Sequence, residues 1–174
     1  MMRVNNLNLR IILLDTNIIS TFAKIGHMNL IFEIGRKKKF GISTNVLHEL
    51  EDARSIGLNF VNRVFELINK KKISIFSMSD KEVMWSMNLP SSFGKGERDS
   101  LAIYKFRKGI FFTNERKIIN FCERESIAVL DLPSFLRYLW KSGLKSKDEV
   151  KNLIEIIENK DNIKFINSSN IYQD

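Results

Sequence analysis

The chain has 174 residues, with 28 Lys and Arg against 20 Asp and Glu, a formal net charge of +8. A single cysteine, Cys122, and two histidines, His27 and His48, exclude a disulfide framework and a four-ligand structural zinc site. With 44% hydrophobic and 28% charged residues and no apolar run near the ~20 residues of a membrane span, the composition suits a cored, soluble domain.

The opening MMRVNNLNLR is too polar for a signal peptide, so the expected location is the cytoplasm, with no membrane partner. RIILLD, Arg10 to Asp15, is a short continuous apolar run ending in an acid, the pattern of a strand buried on both faces. Ile18, Ile19, Phe22 and Ile25 then recur at helical spacing up to Gly26, and NLIFEIG reads as a second helical stretch ending at Gly35. RKKK, Arg36 to Lys39, is a charged connector, either solvated or a phosphate grip, and FGIST is a second strand. Val46, Leu47 and Leu50 mark a helix. Leu58, Val61, Phe65 and Ile68 predict a longer one, closed by Lys70 to Lys72.

ISIFSM is a third strand, and Ser79 to Glu82 has the spacing of a capping box opening a short helix. Leu89 to Gly96 is the clearest loop, flanked by Trp85 and Phe93, which either stack on bases or anchor it. A helix closed by Gly109, the strand IFFT, another helix and the strand IAVLD follow. Phe106, Phe111, Phe112 and Phe121 are expected in the core. Beyond Pro133 come two helices, the second with a capping box at Ser146 and Glu149. NIKFI is a candidate last strand, and the final residues are expected to fray. Strands alternating with helices predict a three-layer α/β/α sandwich around a mostly parallel sheet of about five strands. We expect one domain over 1–174: a core over about 8–132, a helical extension over about 133–160 and a tail over 161–174.

Parallel sheets bind ligands beyond the carboxyl ends of their strands. Asp15, Thr16 and Asn17 follow the first strand, and Thr113, Asn114 and Glu115 the fourth. Glu97 and Asp99 follow Gly94-Lys95-Gly96, and Glu49 lies one to two turns into the helix after the second strand. Carboxylates gathered at one edge of a basic protein suit hard cations such as Mg²⁺ or Mn²⁺, which assist phosphodiester hydrolysis. Each acid also has a structural reading: Asp15 as a helix cap, Glu97, Asp99 and Glu115 as partners of helix dipoles, Glu49 as a solvated charge. Glu97 and Asp99 are two residues apart, so on a regular helix they face different ways.

Four pieces in this order resemble the PIN-domain nuclease family: LLDTN at 13–17, TNVLHEL at 44–50, GERDSLAIY at 96–104 and FFTNERKI at 111–118. The likeness continues through AVLDLPSFLRYLWKSGL at 128–144, and the ending resembles a poorly characterised subfamily with a Gly-Glu-x-acid motif and two C-terminal helices. The resemblance implies Asp15, Glu49 and Asp99 as metal ligands, with Glu97 as an adjacent catalytic acid. The fourth acid of the family falls in Thr-x-Asp; here Thr113-Asn114-Glu115 offers Glu115 or the neutral Asn114. Thr16, Asn17, Thr113 and Asn114 are implied as supporting residues, and Arg98, Arg116 and Lys95 as nucleic-acid contacts.

It further implies a Mg²⁺- or Mn²⁺-dependent endoribonuclease, the toxin of a toxin–antitoxin pair or a defence or stress effector. The implied partners are RNA, an antitoxin or other inhibitor protein, and a second copy of the chain. Two other readings stay open: a catalytically degenerate module that binds nucleic acid or protein, and a nuclease acting on DNA.

Overall fold

Ile11–Leu14, an unbroken apolar run, forms β1, and both neighbours in the sheet bury it: β2 (Lys39–Ser43) and β4 (Gly109–Phe112). The structure, a computed structural model, describes residues 11–35, 38–165 and 168–173. All five strands are parallel, in the order β3-β2-β1-β4-β5, with β3 at Ile73–Phe76 and β5 at Val129–Leu130. Helices flank the sheet, giving the expected α/β class. The ladder continues one residue past β1, where the Asp15 N–H donates to Phe112 O at 3.0 Å.

The order places β2 on one side of β1 and β4 on the other. The chain therefore changes direction of winding at β1, and a crevice opens at the carboxyl ends of β1 and β4. Three helix starts meet this edge of the sheet: α1 (Thr16–Lys24) after β1, α2 (Thr44–Ser55) after β2, and α6 (Arg116–Arg124) after β4. Helix α5 (Lys95–Arg107) packs on α2 with its first turn against Glu49.

Several boundaries differ from those read in the sequence. Met28–Ile34 winds as a 3-10 helix and not an α-helix, so Met28, Ile31 and Ile34, every third residue, are buried. The helix expected from Leu58 begins only at Asn62 (α3, Asn62–Asn69) and buries Val64 and Leu67, after a 3-10 turn that buries Val61; Leu58 is exposed. Lys95 and Gly96 belong to α5 and not to the loop before it. Gly109 does not close α5. Lys108, at φ 55°, makes that turn, and Gly109 opens β4, where a Cβ would sit 2.8 Å from Ile11 O.

Phe106 is exposed and not in the core, whereas Phe111 and Phe112 are fully buried. Asn162–Phe165 forms no strand; Ile166 of that expected element lies outside the described residues, as do Arg36 and Lys37 of the basic connector and residues 1–10.

The two last helices, α7 (Leu132–Lys141) and α8 (Lys147–Asp161), share one apolar cluster with the strands through Phe135, Leu136, Leu139, Val150 and Ile157. Asp161 clamps α8 to α1 by accepting from Thr21 and Lys24. Helix α4 (Asp80–Ser86) carries the predicted capping box: Glu82 accepts from the Ser79 N–H at 2.7 Å. Glu82 also receives both Arg107 Nε and Nη2 at 2.7 Å, tying α4 to the end of α5.

The chain end is docked and not frayed over Ser168–Ile171. Ile171 is buried, and its carbonyl accepts from Trp140 Nε1 at 2.7 Å.

Candidate active site

Asp15 lies where the crevice opens. Its side chain caps α1, accepting from the Thr16 N–H at 2.8 Å, and its other oxygen accepts from Thr113 Oγ1 at 2.6 Å. The capping role and the site role therefore fall on one carboxylate. Asp15 is 5% exposed. Burial pushes its pKa up to about 6, Glu97 and Glu49 add repulsion, and the donors Thr113 and Thr16 pull the other way without prevailing.

Glu49 projects from α2 toward the same place and accepts from Thr16 Oγ1. The start of α5 closes against it. A Cβ on Gly96 would lie 2.8 Å from Val46 Cγ2 and 3.0 Å from Glu49 Oε1, so only glycine permits this approach. Glu97 acts as the capping acid of α5: its Oε2 accepts from the Gly94 N–H at 2.6 Å and pairs with Lys117 at 3.4 Å. Its charge still acts on Asp15.

Asp99 is held separately. It is buried and accepts from Asn45 Nδ2 at 2.8 Å, with Asn45 N–H at 3.4 Å. Burial raises its pKa, against the Asn45 hydrogen bonds and the charges of Arg98 and His48. Asn45 and Glu49 are one turn apart on α2, and Asp99 and Gly96 three residues apart on α5. The antiparallel contact of these helices thus sets Asp99 about one helical turn along from Glu49.

The fourth strand supplies support. Thr113 is fully buried; its hydroxyl donates to Asp15 and accepts from the Glu115 N–H at 3.1 Å. Asn17 Oδ1 accepts from the Asn114 N–H at 3.3 Å, so Asn17 and Asn114 hold the two strand ends together. Glu115 is the N-cap residue of α6 and half-buried. Arg98 is half-buried beside Asp99, while Lys95 and Arg116 are exposed.

The structure thus brings Glu49 and Glu97 near enough to act on Asp15 and sets Asp99 one turn away. Among the described residues, no three Asp, Glu, His or Cys side chains form a ready-made metal-holding group. The donors are nevertheless all oxygen and anionic, as a hard divalent cation requires. Glu49 gives one oxygen to Thr16 and Glu97 one oxygen to Gly94, and each carboxylate has a second oxygen with which it could face a cation.

Phe93 is buried edge-to-face on Phe121 at 5.2 Å, and so anchors the loop. Trp85 packs partly buried against the core, under Lys105. Cys122 is buried, which pushes its thiol up to about 12 and leaves no thiolate nucleophile. Two contributors escape a reading of the sequence: Asn45, which holds Asp99, and Lys117, which pairs Glu97 and reaches Ser92 O at 3.0 Å. Asn45 gives a local clue, since it follows the capping Ser43 in the first turn of α2. The Lys117–Glu97 pair crosses between helices and leaves no trace in sequence spacing.

A doubly wound parallel sheet with a buried, repelled carboxylate at its switch point defines the class: an α/β protein with a crevice beyond β1 and β4. The chain belongs to the PIN-domain family, since a family model described as DUF3368, PIN domain, matches residues 11–173. PIN-domain proteins are nucleases. Among solved structures, the chain resembles one in the crystal structure of VapBC2 from Rickettsia felis bound to a DNA fragment from their promoter. That match has a TM-score of 0.53 and 18% identity, and covers 70% of this chain and 98% of the other, a likeness of fold. No curated protein matches.

Proposed function

We propose that the protein is a metal-dependent endoribonuclease, acting in the cytoplasm as the toxin of a toxin–antitoxin pair or as a defence or stress effector. The observation that carries this reading is Asp15: a carboxylate buried at the switch point, oriented by Thr113 and Thr16, and repelled by Glu97 and Glu49. Such an arrangement is costly for the protein alone and favours a cation among the acids. Asp15, Glu49 and Asp99, with Glu97 or Glu115, would hold Mg²⁺ or Mn²⁺. When bound, such an ion neutralises phosphate charge and activates water for phosphodiester hydrolysis.

The chain's own residues do the rest. Thr113 and Thr16 fix the Asp15 carboxylate, and Asn17 and Asn114 keep the two strand ends in register. Arg98 and Lys95, on the first turns of α5, offer positive charge to the substrate backbone. The likeness to a VapBC2 chain supports an inhibitor partner.

Asp15→Asn is expected to abolish Mn²⁺-dependent cleavage of single-stranded RNA by the folded protein; wild-type cleavage by this variant sinks the assignment. Parallel DNA substrates separate the RNase reading from a DNase. A second reading, a binding module without catalysis, is favoured by the lack of a ready-made three-acid group among the described residues and by Asn114-Glu115 in place of an aspartate. Calorimetric titration with Mn²⁺ distinguishes the two: heat that vanishes in Asp15→Asn supports the nuclease, and no heat in the wild type supports the module.

A further inference from the structure

A second concavity, of about 730 Å³, opens beside the candidate site, between the end of β4, the first turns of α6 and α7, and the docked chain end. Asn114, Arg116, Ser134, Arg137, Lys164 and Asn170 supply its polar lining; Pro133, Ile163, Phe165 and Ile171 supply the apolar part. Three cations from three separate segments line it, and among the described residues no carboxylate does. In a chain where acids and bases interleave, that separation of sign needs a reason.

The cleft adjoins the site described above through Asn114. Asn114 lines it and immediately follows Thr113, whose hydroxyl holds Asp15. Its far wall is built. The Phe165 N–H is tied to Glu158 at 3.0 Å, Arg137 Nη1 donates to Asn170 O at 3.0 Å, and Ile171 is buried. Arg137 Nε, shielded from water, has no partner among the described residues, so its guanidinium is only partly spent on the fold. Arg116 and Lys164 are exposed and form no salt bridge among the described residues, which leaves their charges available to a ligand.

We infer that this cleft is the track of a nucleic-acid strand: Arg116, Arg137 and Lys164 hold backbone phosphates flanking the position presented to Asp15. The inference rests on the nuclease reading and extends it to the residues that seat the substrate. Phosphates recur along a strand, so a row of cations at the mouth of the acidic crevice grips the flanking nucleotides without competing for the acids. The apolar wall of Ile163, Phe165 and Ile171 leaves room for an unstacked base beside that row.

The test measures binding and not cleavage. Asp15→Asn protein is titrated with a fluorescent single-stranded oligonucleotide of about a dozen nucleotides, as RNA and as DNA, over a range of salt. Arg116→Glu and Lys164→Glu, both at exposed positions, are compared with Lys70→Glu, at the end of α3. The change of charge is the same in all three. Each cleft variant is expected to weaken binding about tenfold and to lower the salt slope by about 0.7 for every phosphate it no longer neutralises, with Lys70→Glu near the parent.

Equal losses in all three variants, showing bulk charge alone, overturn the inference. So does unchanged binding in the cleft variants, or capture of polyglutamate with the same residue dependence and no oligonucleotide effect. The two levels fail separately: binding lost in the cleft variants with no cleavage by wild type sinks the nuclease and keeps the track. Asp15-dependent cleavage with binding indifferent to Arg116 and Lys164 does the reverse.

Discussion

A buried carboxylate is held in its charged form at a cost to the fold. Asp15 titrates near 6 where an ordinary aspartate titrates near 3.8, because burial and the neighbouring Glu97 and Glu49 disfavour its charge. The folded chain therefore binds the proton more tightly than the unfolded one. That contribution is fully present below about pH 4 and is lost as pH rises through 6. The gap between the two values makes the loss about 2–3 kcal/mol. Asp15→Asn keeps the shape and one acceptor oxygen and removes the charge; the Thr113 hydroxyl, which donates to Asp15, turns to accept from the new amide. In EDTA its melting temperature is expected to exceed that of the wild type at pH 7.5 and to match it near pH 4; a variant less stable at both values contradicts a buried, repelled charge.

Gly96 makes the complementary case. Gly96→Ala drives a methyl into Val46 and the Glu49 carboxylate, and is expected to cost about 1–3 kcal/mol and to lower cleavage more than Asp15-independent RNA binding. Thermal melts and binding isotherms on the same preparation check both.

Helix α5 shows how an element can be held at both ends so that its start is fixed against α2. At its far end Arg107 grips Glu82 of α4 and also reaches Ser77 O at 2.5 Å. Burial alone would raise the Glu82 pKa; the Arg107 guanidinium and the Ser79 donors outweigh it and hold the carboxyl below its ordinary value. This contribution has the opposite sign to that of Asp15: it is present above the usual glutamate range and lost as pH falls through it. Glu82→Gln is expected to destabilise by about 2 kcal/mol at pH 7, less than the loss typical of a fully buried pair because Arg107 keeps part of its surface in water. The destabilisation, read by urea titration, is expected to shrink toward pH 4. A constant difference across that range removes the ion pair from the explanation.

The strands are legible in the sequence because a strand buried on both faces must be a short apolar run, and IILL, FGIS and IFF are such runs. Met28–Ile34 shows the limit, since apolar spacing alone does not separate a 3-10 turn from an α-helix. Gly109 misleads because Lys108 takes the left-handed turn that glycine usually takes.

Over the whole molecule, net charge and motif order point to the nucleic-acid reading, while the parts built from distant segments stay hidden in the sequence. Arg137 and Lys164 reach one cleft from α7 and the chain end, and no spacing along the chain joins them to Arg116. The chain end itself is polar in sequence and suggests a loose tail. It docks because Trp140 offers a donor and the core offers a seat for Ile171. Truncation after Phe165 is expected to lower stability by about 2 kcal/mol, the worth of one buried isoleucine, and to weaken oligonucleotide binding by removing a wall of the cleft. Differential scanning calorimetry of the truncated chain checks the first expectation, and an unchanged melting temperature refutes it.

The hydrogen bond between Thr113 and Asp15 joins residues 98 positions apart, across the central pair of strands. Closing so long a loop is slow, and it cannot begin until β4 exists. During synthesis the first strand, its helix and the first acid emerge early but lack the partner that orients them. The ribosome must add β2, β3 and β4 before the carboxylate is set in place. The proposed nuclease would thereby stay harmless to the transcript and the machinery producing it until Thr113 has emerged and met Asp15.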